Sequence, residues 1–329
     1  TTPMTLPADV HMQPRPLALD GTPALLLGPH GRTGVVLIED WGYEGLCARR
    51  SLRILAELLA RDGYPVLRFD LPGMGGSMIA PEAVTGIDML DAALDAAIEA
   101  LRREAGADQI VLAGLGLGSL LAARRMARNR HGISALVLMA PLLSGRLYLR
   151  EAQIRGAMIA ERTRVVPELP DGAAMSVAGL AMSEGLSRDI RAASLGEAAI
   201  PCECPVLCLP RPGRTGEEDF AAALLANGSG AACVSFTGYD ELVTDPTLAQ
   251  VPLADLSAIS GWLRRTLPAV PPEAGNARDG ALIPVHGPAV LTGAGFHEEL
   301  VTLGRRGTLV GTWCEPGAHG RRGRSILFL

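Results

Sequence analysis

Residues Gly114-Leu115-Gly116-Leu117-Gly118 keep the spacing of Gly-x-Ser-x-Gly, the turn that presents a nucleophilic serine for acyl transfer. An apolar run, Ile110 to Ala113, precedes them and a helical pattern, Leu117 to Arg128, follows, which is the strand–turn–helix setting such an elbow needs. The nucleophile's own position is Gly116, with no side chain. An elbow nucleophile is held at strained positive φ, at a cost of about 1–3 kcal/mol, and glycine takes that conformation without a Cβ penalty. The change therefore removes chemistry and relieves strain together. It leaves the amides of Leu117 and Gly118 at a helix N-terminus, an arrangement suited to a carboxylate or phosphate.

Other groups offer weaker substitutes. Ser119 follows one turn along the helix, displaced by roughly 5 Å from the elbow, and reads as a polar residue in the helix's first turn. Glu39 and Asp40 end an apolar run and could serve as a general base for water; pairing with Arg49 or Arg50 is the blander reading. His286 and His297 lie beyond the last helix of the main pattern and read as surface or linker residues.

The elements that must position these groups alternate. Leu25–Leu27 and Val35–Ile38 read as strands separated by the turn Gly28-Pro29-His30-Gly31, and Leu52, Leu55 and Leu59 mark a helix ending near Asp62-Gly63. Val66–Phe69 is a strand, and a glycine-rich loop runs from Asp70 to Ser77. Thr85 and Asp88 resemble a capping box ahead of a helix through Arg103. After the elbow come a strand at Ala135–Met139, strands at 205–209 and 232–236, and a closing helix over 253–267. Short apolar strands alternating with helices predict an α/β architecture, a doubly wound, mostly parallel sheet covered on both faces. The core occupies 15–140 and 201–267. Residues 141–200 break the alternation with two helical stretches, Tyr148–Arg162 and Ala178–Ala193, and read as a helical cap over the carboxyl ends of the strands, where open sheets bind ligands.

Composition narrows the chemistry. The chain has 329 residues, is 48% hydrophobic and carries a net charge of −5, so it holds a large core and is no general nucleic-acid binder. All its cations are arginine, which excludes a Walker-A lysine, a lysine Schiff base and a pyridoxal-phosphate aldimine. Cys202, Cys204 and Cys208 share strand parity but lack suitably spaced histidines, so they read as buried small hydrophobes and no metal or other cofactor is expected. No apolar stretch is long enough for a membrane span, no secretory leader is visible, and reduced thiols point to the cytoplasm.

This order of elements resembles the α/β-hydrolase superfamily over about residues 15–267. Trp41-Gly42-Tyr43-Glu44, with Arg49-Arg50, resembles the oxyanion-loop segment of hydrolase-like proteins associated with exopolysaccharide and exosortase gene clusters. Asp70 to Ser77 is similar to the superfamily's Asp-x-x-Gly-x-Gly-Asp-Ser, with Gly76 replacing the usual Asp. Gly238-Tyr239-Asp240 through Asp245-Pro246-Thr247 resembles the segment that often carries the histidine. The resemblance implies a Ser-His-Asp triad that this chain does not preserve. Gly116 replaces the serine, Thr247 stands at the histidine's place, and no histidine occurs between His131 and His286. The acid's segment reads Pro210-Arg211-Pro212-Gly213-Arg214, and Glu217, Glu218 and Asp219 read as a helix-terminal charge cluster.

Beyond a Pro/Gly-rich linker (268–283), residues 284–329 repeat an early order. Gly307-Thr308-Leu309-Val310, a turn containing His319-Gly320-Arg321, and Ile326–Leu329 echo Gly21-Thr22, His30-Gly31-Arg32 and Val35–Ile38. This segment reads as a C-terminal hairpin and the start of a second copy of the fold, offering a contact to a sister domain or another copy of the chain. The expectation from sequence is a bacterial, non-catalytic ligand-binding or partner-docking domain with no catalytic residues. It would take a small acidic or acylated ligand in a crevice formed by Trp41, Glu44, Gly116, Leu117 and Gly118. The competing reading is an active hydrolase or acyltransferase on esters or thioesters with a non-standard constellation.

Overall fold

The computed structural model describes residues 14–165, 169–197, 200, 203–227, 230–269, 290–293, 296–303 and 309–316. In chain order the elements are β1 (Arg15–Leu19), β2 (Thr22–Leu27), β3 (Thr33–Ile38), α1 (Gly42–Arg61), β4 (Val66–Phe69), α2 (Ile87–Ala105), β5 (Gln109–Leu115), α3 (Leu117–Arg128) and β6 (Ile133–Met139). There follow α4 (Gly145–Thr163), β7 (Ala173–Val177), β8 (Leu180–Ser183), α5 (Glu184–Ala192), β9 (Val206–Leu209), α6 (Thr215–Ala226), β10 (Ala231–Cys233), α7 (Tyr239–Leu242) and α8 (Leu253–Thr266). The last described strands are β11 (Val290–Gly293), β12 (Phe296–Leu303) and β13 (Leu309–Pro316).

Eight strands form one sheet in the order β1-β2-β4-β3-β5-β6-β9-β10. Every pairing from β4 to β10 is parallel, and only β1–β2 and β2–β4 are antiparallel. Side chains along β3 alternate between two cores: Val36 and Ile38 pack with α2 and α3, whereas Val35 and Leu37 pack with α1 and α8. Burial on both faces explains why β3, β5 and β6 read as near-continuous apolar runs. The doubly wound, mostly parallel architecture expected from the sequence is the one observed.

Several local expectations are corrected. β2 and β3 are not a hairpin, because β4 lies between them; β2 pairs antiparallel with β4 and with β1, a strand not expected from the sequence. Helix α1 begins at Gly42, with only residues 39–41 between it and β3, so the expected oxyanion loop is largely the helix's own first turn. The capping box does not form: Gly86 is the N-cap, and the Ile87 amide is instead taken by Asp189 Oδ2 at 3.1 Å, 102 residues away. The cap carries a β7–β8 hairpin where helix was expected from Ala178, with α5 starting only at Glu184. The strand expected over 232–236 ends at Cys233.

Strands β11, β12 and β13 form a separate antiparallel sheet of three. The second half of the suggested repeat, including His319 and Ile326–Leu329, lies outside the described residues, as does His286. No helix among the described residues is long and apolar enough to cross a membrane.

Candidate functional site at the elbow

The elbow forms as its glycines predict. Gly116 sits at φ 53° and ψ −114° between β5 and α3. Gly118 serves a different need: a Cβ there would meet the Ile38 carbonyl oxygen, so its absence lets α3 close onto the end of β3. Ser119 is fully buried, donating to the Gly116 carbonyl at 2.6 Å and accepting from the Leu142 amide at 3.0 Å. Both bonds tie it into the scaffold, which makes it a brace. Ser119→Ala should cost about 1–3 kcal/mol by orphaning the Leu142 amide, measurable by urea unfolding.

The space beside Gly116 is filled by Asp40. Its Oδ1 accepts from the Trp41 amide, the Leu117 amide and the Tyr148 hydroxyl, each at 2.8 Å. A Cβ placed on Gly116 would stand 2.6 Å from that oxygen and nearer still to Oδ2. Elbow glycine and buried acid are therefore complementary: the carboxylate occupies volume that any side chain at 116 would need. Two backbone amides and a phenol converge on one oxygen, which is the donor set that elsewhere would stabilise an oxyanion. Here it stabilises a resident carboxylate.

Burial raises the Asp40 carboxyl to about 7, with the nearby Glu44 adding to the rise and the three donors opposing it. Tyr148 is pushed well above its usual range by burial and by the Asp40 charge. Glu44, in the first turn of α1, lies 2.6 Å from Arg155 Nε of α4, a close charge pair without the alignment of a hydrogen bond. The cap helix thus contributes both Tyr148 and Arg155 to this end of the sheet.

A cleft of about 480 Å³ opens above Asp40 and Gly116. Its apolar wall is Leu142, Leu143 and Leu147; its polar wall is Tyr148, Glu151, Arg211, Arg214, Glu217 and Tyr239. Glu217 stands in the first turn of α6, as expected, and is also buried: it accepts from the Arg211 amide at 2.8 Å and from Arg211 Nε at 2.7 Å. Arg211 also stacks over the Tyr239 ring at 5.1 Å, and Arg214 pairs with Glu151 at 2.8 Å. These contacts fix the loop after β9, where an acid would otherwise stand.

Of the five crevice residues expected from sequence, Glu44 and Gly116 line the cleft. Trp41 and Leu117 contribute backbone amides to Asp40, and Gly118 is a packing residue. The expected pairing of Glu39 or Asp40 with Arg49 or Arg50 is corrected, because Arg49 bonds Asp70 at 2.9 Å instead. Thr247 is exposed and donates to Asp245 at 2.6 Å, away from the cleft walls. No histidine appears among the described walls of the cleft. Tyr148 and Tyr239 were missed as site residues from sequence; Tyr148 lies in α4 and Tyr239 opens the short α7, neither at a diagnostic spacing. No cluster of three His, Cys, Asp or Glu side chains arranged for a metal occurs among the described residues.

Comparison with known proteins now bears on this geometry. The sequence profile described as alpha/beta hydrolase fold matches residues 25–164. Est1E from Butyrivibrio proteoclasticus, solved with ferulic acid bound, superposes with a TM-score of 0.55 at 18% identity, covering 77% of this chain and 98% of that one. The chain has the α/β-hydrolase fold. An esterase from Pyrococcus furiosus gives a TM-score of 0.52 at 15% identity, over 77% of this chain and 90% of the other. DcsB, in complex with its substrate analogue, gives 0.52 at 14% identity, over 78% and 99%. Identities this low speak for the fold alone. No curated protein matches the sequence.

Proposed function

We propose that this α/β-hydrolase-fold chain is a non-catalytic ligand-binding protein whose elbow is closed by its own carboxylate. One observation carries the reading: Asp40 Oδ1 takes the Leu117 amide of the elbow, the Trp41 amide and the Tyr148 hydroxyl, in space a serine at 116 would require. An incoming acidic group at that point would face Asp40, so the acidic ligand expected from sequence is set aside in favour of an acylated one. Its chain would lie along Leu142, Leu143 and Leu147, and its polar end beside Tyr148 and the arginine–glutamate pairs. A cytoplasmic, bacterial setting accompanies this reading on the sequence's cysteine usage and composition. Partner docking through the C-terminal strands remains part of it, on the repeat seen in the sequence.

A second reading rests on Asp40 itself. A cleft carboxyl near neutrality has the pKa of a general base, and a hydrolase that uses it to activate water is the competing proposal. Assays of purified protein with p-nitrophenyl esters and acyl thioesters of varied chain length separate the two. The expected result is saturable binding without turnover above background. Turnover that survives Ser119→Ala but vanishes in Asp40→Asn would overturn the non-catalytic reading.

A further inference from the structure

A second cavity, distinct from the elbow cleft, lies between the sheet and α1. Strand alternation creates it: Asp40 points toward the elbow, whereas Glu39 shares a face with Leu37, and Arg68 of β4 is flanked by Leu25 of β2 and Leu37 of β3. Leu25, Leu37, Glu39, Arg49, Leu52, Arg68, Phe69 and Asp70 belong to its lining, and its volume is about 130 Å³.

The charges around this cavity are unevenly satisfied. Arg49 bonds Asp70 Oδ1 at 2.9 Å, and Asp70 Oδ2 accepts from the Gly76 amide at 2.7 Å, so that pair is complete. Glu39 Oε1 accepts from the Leu71 amide at 3.2 Å. Arg68 makes no hydrogen bond or ion pair among the described residues, although it is half-buried in the cavity wall. Burial lowers the Arg68 pKa, and the next largest influence is repulsion from Arg49 rather than attraction to either acid. Burial and the Asp70 charge raise Glu39 to about 7. With Arg49 matched to Asp70 and Glu39 inclined to neutrality, Arg68 is the unmatched charge.

We propose that this cavity binds a small monocarboxylate, its head on the Arg68 guanidinium and its short apolar tail against Leu25, Leu37 and Leu52. The guanidinium fork suits a planar carboxylate, and the apolar walls favour an organic tail over a bare inorganic ion. A protonated Glu39 would donate to the bound head. Ionised, it would repel it, so affinity should fall as pH rises through 7. The charged groups facing Glu39 are Asp70, Arg49 and Arg68, and binding leaves the Arg49–Asp70 pair intact.

Calorimetric titration of the full chain with acetate, propionate and butyrate, with chloride and inorganic phosphate as controls, tests this. Propionate is expected to bind more tightly than chloride or phosphate, about tenfold more weakly at pH 8 than at pH 6, and at least tenfold more weakly in Arg68→Met. Glu39→Gln should remove most of the pH dependence, and Leu147→Asn in the elbow cleft should leave propionate binding unchanged. Soaking crystals of the unaltered protein with 3-bromopropionate should place an anomalous peak between Arg68 and Leu52, which guards against misfolding of the Arg68 variant. No saturable carboxylate binding, a peak elsewhere, or chloride binding as well as propionate would overturn the proposal. Loss of propionate binding in Leu147→Asn with retention in Arg68→Met would do the same. Failure of the elbow reading would appear as ester turnover, which this titration does not measure.

Discussion

Gly116→Ser is expected to produce an inactive and less stable protein, with about 3–5 kcal/mol lost from two sources. The first is backbone: φ 53° with ψ −114° is a conformation that L side chains adopt only under strain. The second is displacement of Asp40, because the new Cβ would stand 2.6 Å from Oδ1 and nearer to Oδ2. Expelling that carboxylate breaks its bonds to Trp41, Leu117 and Tyr148 at once. The two effects separate in a double-mutant cycle. In an Asp40→Gly background the serine should cost only the backbone part, leaving a coupling of about 2 kcal/mol between the positions, within the range for contacting residues. Urea unfolding of the four proteins measures it. Additive costs would mean that Asp40 does not occupy the elbow. Ester hydrolysis should remain absent even in the double variant, because no base stands by the new hydroxyl; vigorous turnover would reveal one.

Replacing Asp40 by Asn should flatten part of the protein's pH–stability curve. The folded-state pKa of about 7 lies above the ordinary carboxyl value of 3.8, because burial outweighs the three donors. Between those values the folded chain holds a proton that the unfolded chain has lost, so stability falls as pH rises through this window. Below it both states are protonated, and above about 7 both are ionised with the full penalty present. Asn cannot titrate, so the variant should match the parent near pH 4 and exceed it by about 4 kcal/mol at pH 8, the span from 3.8 to about 7 being worth about 1.4 kcal/mol per pH unit. Thermal unfolding from pH 4 to 8 reads this gap. Tyr148→Phe removes a bond that lowers the Asp40 pKa, so it should move the window upward. Glu39→Gln should remove a separate contribution of the same sign between 4.5 and about 7. A gap that does not change with pH would rule out a buried, titrating Asp40.

Much of the fold was legible because its signals are local. The runs at β3, β5 and β6 are apolar on both faces, and Ile87, Leu90, Leu94, Ile98 and Leu101 recur at the helical period of α2. Glycines at 114, 116 and 118 marked the elbow to the residue. The misread parts share one property, dependence on distant partners. β1 became a strand by pairing with β2, the first turn of α2 was capped by Asp189, and residues 180–183 became β8 through β7. The site followed the same division. Absence of the serine and of a nearby histidine is a property of the chain's linear order, and could be read as such. Glu217 and Tyr148 gained their roles from Arg211 and Asp40, which no spacing announces.

The sequence by itself determined that position 116 puts no side chain at the elbow, since a residue type and its strand–turn–helix setting are local facts. Only the tertiary structure decided what that vacancy holds. Asp40 meets the Leu117 amide across 77 residues of chain and the Tyr148 hydroxyl across 108, contacts made by the parallel sheet and the folding of the cap. Alternation at the end of β3 then sent neighbouring carboxyls in opposite directions, Asp40 into the elbow and Glu39 toward Arg68. Adjacent acids in a sequence show that two charges exist; the cavity that receives each is set by the packing of elements far apart in the chain.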